Sequence, residues 1–272
     1  MLLTVSKRLE FSASRRLFVS DWSAAANLAA FGPETSARYG TGRNYVAYFV
    51  FSGEVDARTG MLMNISEIKE RAESVLRKGF DHKFLNEDNK AFATLPPTPE
   101  NIVRQLVSDA APLFDGASAH LVACHLVESE ERSATYFCSG TSESNYWFEF
   151  SAARQTMSPE LSAEENGKLF GAAASPFGHG HNYRARLTVR RENAGTELAV
   201  PYDKIEDRIT SLRAELDHKN LNHEVIGLTN QAITTENLAR YVHERAKEAI
   251  PIDRVRLHER QDFFAEYASD GR

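Results

Sequence analysis

The chain says the same thing twice. Around Arg15 it reads Glu10-Phe11-Ser12-Ala13-Ser14-Arg15, and around Arg154 it reads Glu149-Phe150-Ser151-Ala152-Ala153-Arg154. Gly40-Thr41-Gly42-Arg43-Asn44-Tyr45 returns as Gly178-His179-Gly180-His181-Asn182-Tyr183, and Asp81-His82 returns as Asp217-His218. Thr98-Pro99-Glu100-Asn101 has its counterpart in Thr234-Thr235-Glu236-Asn237, and Glu128 in Glu259. The five matches keep their order, at offsets of 139, 138, 136, 136 and 131 residues. A tandem duplication follows, and it constrains the fold: each half must bury its own core. The halves are residues 1–138 and 145–272, joined by the polar, turn-rich stretch Cys138 to Ser144.

Composition narrows the function. With 42% hydrophobic and 26% charged residues, the chain reads as an ordinary soluble globular protein. A net charge of −6 argues against a nucleic-acid partner, whose binding surface is normally basic. No apolar run approaches a membrane span, and the N-terminus alternates like a strand rather than a signal peptide. Cys124 and Cys138 have no counterparts in the other half. They read as reduced thiols, and a cytoplasmic location is expected.

Both halves have one layout. Residues 3–13 and 145–153 alternate as a first strand, followed by a long loop and a second strand over 44–55 or 182–191. The turns Asp56 to Gly60 and Glu192 to Gly195 predict a hairpin partner for that second strand. Ile65, Ile68, Ala72, Val75 and Leu76 mark one buried helical face, as do Ile205, Ile209, Leu212 and Leu216. Thr98 and Thr234 read as caps of a second helix, with Glu100 and Glu236 placed to complement its dipole. Two closing strands per half complete an α+β fold of ββααββ order, an antiparallel sheet with helices on one face.

On these residues each half resembles the 6-pyruvoyl-tetrahydropterin synthase and 6-carboxy-tetrahydropterin synthase family. The His-Gly-His-Asn-Tyr motif, the Asp-His pair and the late glutamate are specific as a set. The resemblance implies the tunnelling fold (T-fold) and a substrate such as 7,8-dihydroneopterin triphosphate. It also implies a zinc held by three histidines, a cysteine activated by an Asp-His pair, and a glutamate that anchors the pterin ring. Carried over, the zinc histidines fall on Arg15, Thr41 and Arg43 in the first half, and on Arg154, His179 and His181 in the second. The cysteine falls on Glu34 and Ala173. Asp81-His82, Asp217-His218, Glu128 and Glu259 keep the family's residue types.

Each position has a chemical reading beside a structural one. His179 and His181, two apart on a strand, project to one face and can share a metal. A catalytic zinc needs three protein ligands, and an arginine at the third position repels a dication. No cofactor is therefore the leading expectation, with zinc in the second domain as the alternative if His223 or His258 supplies a ligand. Glu34 is a candidate general base if desolvation raises its pKa, or else a solvated loop carboxylate. The Asp-His pairs either move protons or bridge a loop. Glu128 and Glu259 either accept two parallel donors of a pterin or form strand-end salt bridges. Arg15, Arg43 and Arg154 either convert the metal pocket to an anion pocket or pair across loops.

Three functions remain open. One is a protein that binds a pterin or purine-like ligand with catalysis weakened or lost. Another is an active lyase, carbon–oxygen or aldolase-type, acting on dihydroneopterin triphosphate. The third is a structural subunit of a T-fold barrel. Open sheet edges predict a homo-oligomer in each case.

Overall fold

The computed structural model describes residues 2–268. The first half runs β1 (Leu2–Arg15), α1 (Ala24–Phe31), β2 (Thr41–Glu54), α2 (Ile65–Gly79), β3 (Lys83–Phe84), α3 (Leu85–Asp88), α4 (Pro99–Ala110), β4 (Ala119–Val127) and β5 (Arg132–Phe137). The second runs β6 (Ser142–Arg154), α5 (Ala163–Phe170), β7 (His179–Arg191), α6 (Tyr202–Leu216), β8 (Lys219–Asn220), α7 (Leu221–Glu224), α8 (Thr235–Lys247), β9 (Arg254–Arg260) and β10 (Phe263–Ala268). Reduced to its long elements, each half has the order ββααββ. No helix among the described residues is long and apolar enough to cross a membrane.

The chain forms two compact units. One holds residues up to Asn145 with Arg190–Asp203, the other Tyr146–Val189 with residues from Lys204 onward. Inside the first unit the strand order is β3-β1-β2-β4-β5. β1 pairs antiparallel with β2 from Leu2↔Glu54 to Arg15↔Thr41, and β3 adds a short parallel pair at Ala13↔Lys83. The second unit orders its strands β8-β6-β7-β9-β10.

Alternation along the strands explains the core. Leu9, Phe11 and Ala13 of β1 and Tyr45, Ala47, Phe49 and Phe51 of β2 are buried on one face, against Ile68, Ala72, Val75 and Leu76 of α2. Tyr183, Ala185 and Leu187 repeat this on β7, with Ile205, Ile209, Leu212 and Leu216 on α6. Phe11 stacks on Tyr45 with centroids 4.9 Å apart and an interplanar angle of 17°, and Phe150–Tyr183 gives the same values. Thr98 and Thr234 cap their helices by accepting from the backbone N–H of Asn101 and Asn237, and Glu100 and Glu236 lie in the first turns.

Two expectations need correction. The turn at 56–60 has no hairpin strand after it; the chain goes directly into α2, and β2 pairs with β1 and β4 instead. Likewise no strand follows 192–195. A turn signal fixes a reversal but not what comes next. Ile65 is 50% exposed and lies outside the buried helical face, because it begins the helix at its rim. Residues 138–144, between the halves, are ordered: Phe137 N–H donates to the Thr141 carbonyl, and Ser142, Glu143 and Ser144 are buried in β6.

Candidate functional site

In each unit the last residue of the first long strand carries an arginine into the interior. Arg15 ends β1 and Arg154 ends β6, both on the face that bears the aromatic core. The loop that returns to the next strand passes directly over this residue. It does so through Gly40 (φ 80°) and Gly178 (φ 72°), where a Cβ would come within 2.9 Å of the Arg15 carbonyl oxygen or 2.8 Å of that of Arg154. Only glycine accommodates both that φ and that approach. The residues after it, Thr41-Gly42-Arg43 and His179-Gly180-His181, are thereby placed beside the arginine.

In the first unit these groups make a closed charge network. Arg15, with a fully buried side chain, pairs through Nη2 with Glu128, whose side chain is 2% exposed. Arg15 Nε donates to Tyr45 Oη at 3.0 Å, and Nη1 lies 3.3 Å from Glu34 Oε2. Glu34 Oε1 in turn pairs with Arg43. Two guanidinium groups thus face two carboxylates, the arrangement that buried charge requires. Burial is the largest single influence and works against the charge on Arg15, but Glu128, Tyr45, Tyr202 and Glu34 together outweigh it and hold the guanidinium pKa above its ordinary value.

The second unit keeps the central pair and little else of the network. Arg154 Nη2 lies 2.5 Å from Glu259 Oε2, and Thr235 Oγ1 donates to the same oxygen. Burial raises the Glu259 pKa, yet the Thr235 hydrogen bond and the Arg154 charge prevail and set it below the usual range. His179 and His181 face each other edge-on with ring centroids 5.0 Å apart, and His181 packs against Tyr183. Desolvation and the Arg154 charge lower the pKa of both imidazoles, with Glu259 opposing. Desolvation pushes the Tyr183 hydroxyl up to about 12.

The residues present do not fit a three-histidine zinc. His179 Nδ1 and His181 Nε2 are buried without a hydrogen-bond partner and could supply two ligands. The third position holds the Arg154 guanidinium, and among the described residues no group of three His, Cys, Asp or Glu side chains comes together. His258 neighbours Glu259 on β9 and so projects to the opposite face, where it packs on Trp147 and Phe264. His223 is exposed on α7.

The Asp-His pairs lie at the sheet edge. Asp81 Oδ1 accepts from the Ser12 N–H, His82 N–H donates to the Ser12 carbonyl, and Asp217 and His218 do the same with Ser151. Within each pair, imidazole Nδ1 lies 3.0 Å (His82) or 2.9 Å (His218) from the neighbouring carboxylate. Both histidine side chains are more than four-fifths exposed. His82 lines a groove with Ser12, Ser14, Gly42, Arg43, Asn44 and Phe84 that includes neither Arg15 nor Glu128. Each unit therefore gathers its arginine, its glutamate and the 41–43 or 179–181 residues; in the first unit His82 shares a groove with Gly42 and Arg43 of that group but not with Arg15 or Glu128.

Sequence reasoning overlooked Tyr45, Tyr183 and Thr235, although all three stand inside the repeated motifs. It also overlooked Asn27 and Asn166, each of which bridges the loop after the first strand to a short helix through four hydrogen bonds of its amide. Their signal was the shared spacing inside the two loops.

Comparison with known proteins places these features. The profile of 6-pyruvoyl tetrahydropterin synthase matches residues 4–138 and again 145–270. The 6-pyruvoyl tetrahydrobiopterin synthase of Drosophila melanogaster is 42% identical over 98 residues, 36% of this chain and 58% of that protein. The Homo sapiens protein of the same name is 39% identical over 126 residues, 44% of this chain and 87% of that protein. The solved structure of Caenorhabditis elegans 6-pyruvoyl tetrahydropterin synthase is 26% identical, covers 50% of this chain and 100% of its own, and superposes with a TM-score of 0.46. The chain belongs to the 6-pyruvoyl tetrahydropterin synthase family and carries two of its T-fold domains in tandem.

Proposed function

We propose that this protein binds a pterin in its second domain and has lost most of the family's catalysis. The observation that carries the reading is the Arg154–Glu259 pair, set where the family resemblance expects the first zinc histidine. A guanidinium there keeps the site polar and buried but supplies neither a metal nor a proton acceptor. Ala173 stands where the resemblance expects the thiol, so no group at that position moves a proton. Positioned acid–base groups contribute roughly 10²–10⁴-fold each, and metal polarisation several kcal/mol more.

The second domain is preferred because its cluster is incomplete. Glu259 uses Oε2 for both Arg154 and Thr235, which leaves Oε1 to accept from a pterin N–H. Glu128 is enclosed with Arg15, and Glu34 and Arg43 complete its network. We assign the first domain a structural role on that basis. The assembled form is proposed to be a homo-oligomer that covers exposed sheet edges such as β10.

Equilibrium titration with a fluorescent pterin tests the reading. Binding near one equivalent per chain, weakened by Glu259→Gln and unaffected by Glu34→Gln, is expected. Two equivalents per chain, or binding indifferent to Glu259, would contradict it.

A further inference from the structure

The two domains build the same turn and put different side chains on it. Helices α1 and α5 end at Gly32 (φ 73°) and Gly171 (φ 54°), and each runs into a 3-10 turn, Gly32–Ser36 or Gly171–Ala174. In the first domain the third residue after the phenylalanine is Glu34, and its carboxylate faces Arg15 and Arg43. At the same place in the second domain is Ala173. The partners of the missing carboxylate are still there: Arg154 stands for Arg15, and His181 for Arg43.

Those partners are only partly satisfied: the Arg154 Nη atoms donate to Thr235 and Glu259, but other polar atoms of the cluster are left over. Arg154 Nε, His179 Nδ1, His181 Nε2 and Tyr183 Oη are all buried without a hydrogen-bond partner. The Arg154 side chain is 94% buried, being 6% exposed. In the first domain Arg15 Nε donates to Tyr45 Oη, and its Nη1 faces Glu34 across 3.3 Å; in the second, the counterparts Arg154 Nε and Tyr183 Oη are both unpaired, and Arg154 Nη1 lies 3.4 Å from Thr235 Oγ1 with no carboxylate in the place of Glu34. A buried polar group left unpaired costs about 1–3 kcal/mol, so His179 Nδ1 and His181 Nε2, left over beside the Arg154 guanidinium, mark a place that a polar ligand completes. A guanidinium selects a planar oxyanion, and a neutral imidazole has one N–H to donate to it.

We propose that the second domain binds the carboxylate of a small-molecule ligand where Glu34 places its own carboxylate in the first domain, against Arg154 and the His179–His181 pair. The first domain then carries a built-in copy of the bound state. Replacing glutamate by alanine removes a methylene and a carboxylate, which is the room the ligand's carboxylate needs. This deepens the pterin reading, and the choice of pterin probes below rests on it.

The test has two arms. In the first, thermal midpoints of the wild type and Ala173→Glu are compared in sodium formate and in sodium chloride of equal ionic strength. Formate is expected to raise the wild-type midpoint and leave Ala173→Glu, which brings its own carboxylate, unmoved. Equal shifts in both proteins would overturn the proposal. Glu34→Ala provides a check independent of any misfolding of Ala173→Glu: it should lose stability in chloride and regain it in formate, and no recovery counts against the proposal. In the second arm, pterin-6-carboxylate should bind the wild type about tenfold tighter than 6-methylpterin. Equal affinity would overturn the carboxylate assignment and leave the pterin reading standing. If neither pterin binds while formate still stabilises the wild type, the pterin reading falls and the carboxylate site remains.

Discussion

Arg154 Nη2 meets Glu259 Oε2 at 2.5 Å, and Arg15 meets Glu128 in the same way one repeat earlier. Duplication conserved this ion pair while the surroundings diverged. In the first domain the pair is sealed, with side-chain exposures of 0% and 2%; in the second it is more open, at 6% and 14%. On the proposed reading, that difference separates a structural element from a binding site.

Removing one partner of a buried pair strands the other. Glu128→Ala leaves the Arg15 charge buried with only Glu34 nearby, and a loss of about 3–5 kcal/mol is expected. Glu259→Ala should cost less, because solvent reaches Arg154 more easily. Denaturant unfolding of the two variants measures the difference, and a larger loss for Glu259→Ala would contradict the assignment of roles.

The metal expectation follows from the same residues. Protein purified without chelator should hold far less than one equivalent of zinc. Arg154→His restores a third imidazole beside His179 and His181 and should raise the content toward one equivalent, since three protein ligands are what a catalytic zinc needs. Elemental analysis of both proteins decides. Stoichiometric zinc in the wild type would refute the two-ligand reading.

Much of this was legible in the sequence, and the illegible part has physical causes. Periodicity located α2 and α6 because Ile68, Ala72, Val75 and Ile205, Ile209, Leu212 must share one buried stripe. The hydroxyl caps at Thr98 and Thr234 were visible because a cap is a local bond. The hairpin after Asp56 was misread because strand pairing is non-local: β2 found β4, about seventy residues on, rather than its sequence neighbour. Nor could the sequence show that Glu128 and Glu259 each meet an arginine more than a hundred residues away. That the Asp-His pairs lie at a sheet edge, bonded to the Ser12 and Ser151 backbone, depends on β3 and β8 pairing, which no motif records.

His243 predicts an acid-sensitive fold. It is 1% exposed on α8 and packs edge-on to Tyr267, with Asp253, Lys247 and Glu244 as the charged groups around it. Desolvation lowers its pKa below 6.5, a shift that the Asp253 backbone hydrogen bond only partly opposes. Above pH 6.5 the imidazole is neutral in both folded and unfolded chains, and its contribution to stability is complete. Below 6.5 the unfolded chain takes up the proton first, so stability falls as pH drops, by at most about 1.4 kcal/mol per pH unit from this group. His179, His181 and His258 shift the same way, so the comparison is with His243→Phe. Between pH 7.5 and 5.5 the variant's melting temperature should fall less than the wild type's; equal falls would remove His243 from the account.

His82 and His218 hold left-handed backbone, φ 56° and 57°. A β-branched side chain is strained there by about 1–2 kcal/mol more than glycine. His218→Gly should therefore be close to wild type in stability and His218→Val clearly below it. Thermal unfolding of the two, with the reverse order, would mean that the imidazole contact with Asp217 outweighs the backbone.

The central claim is a pterin site that binds but hardly turns over. Incubation with 7,8-dihydroneopterin triphosphate, following bound ligand and released product in the same sample, tests it most directly. The account predicts saturable binding that Glu259→Ala weakens, with product formation at most a trace above the uncatalysed rate. Rapid, sustained turnover by the wild-type chain, or no binding of substrate or product pterin at all, would contradict it.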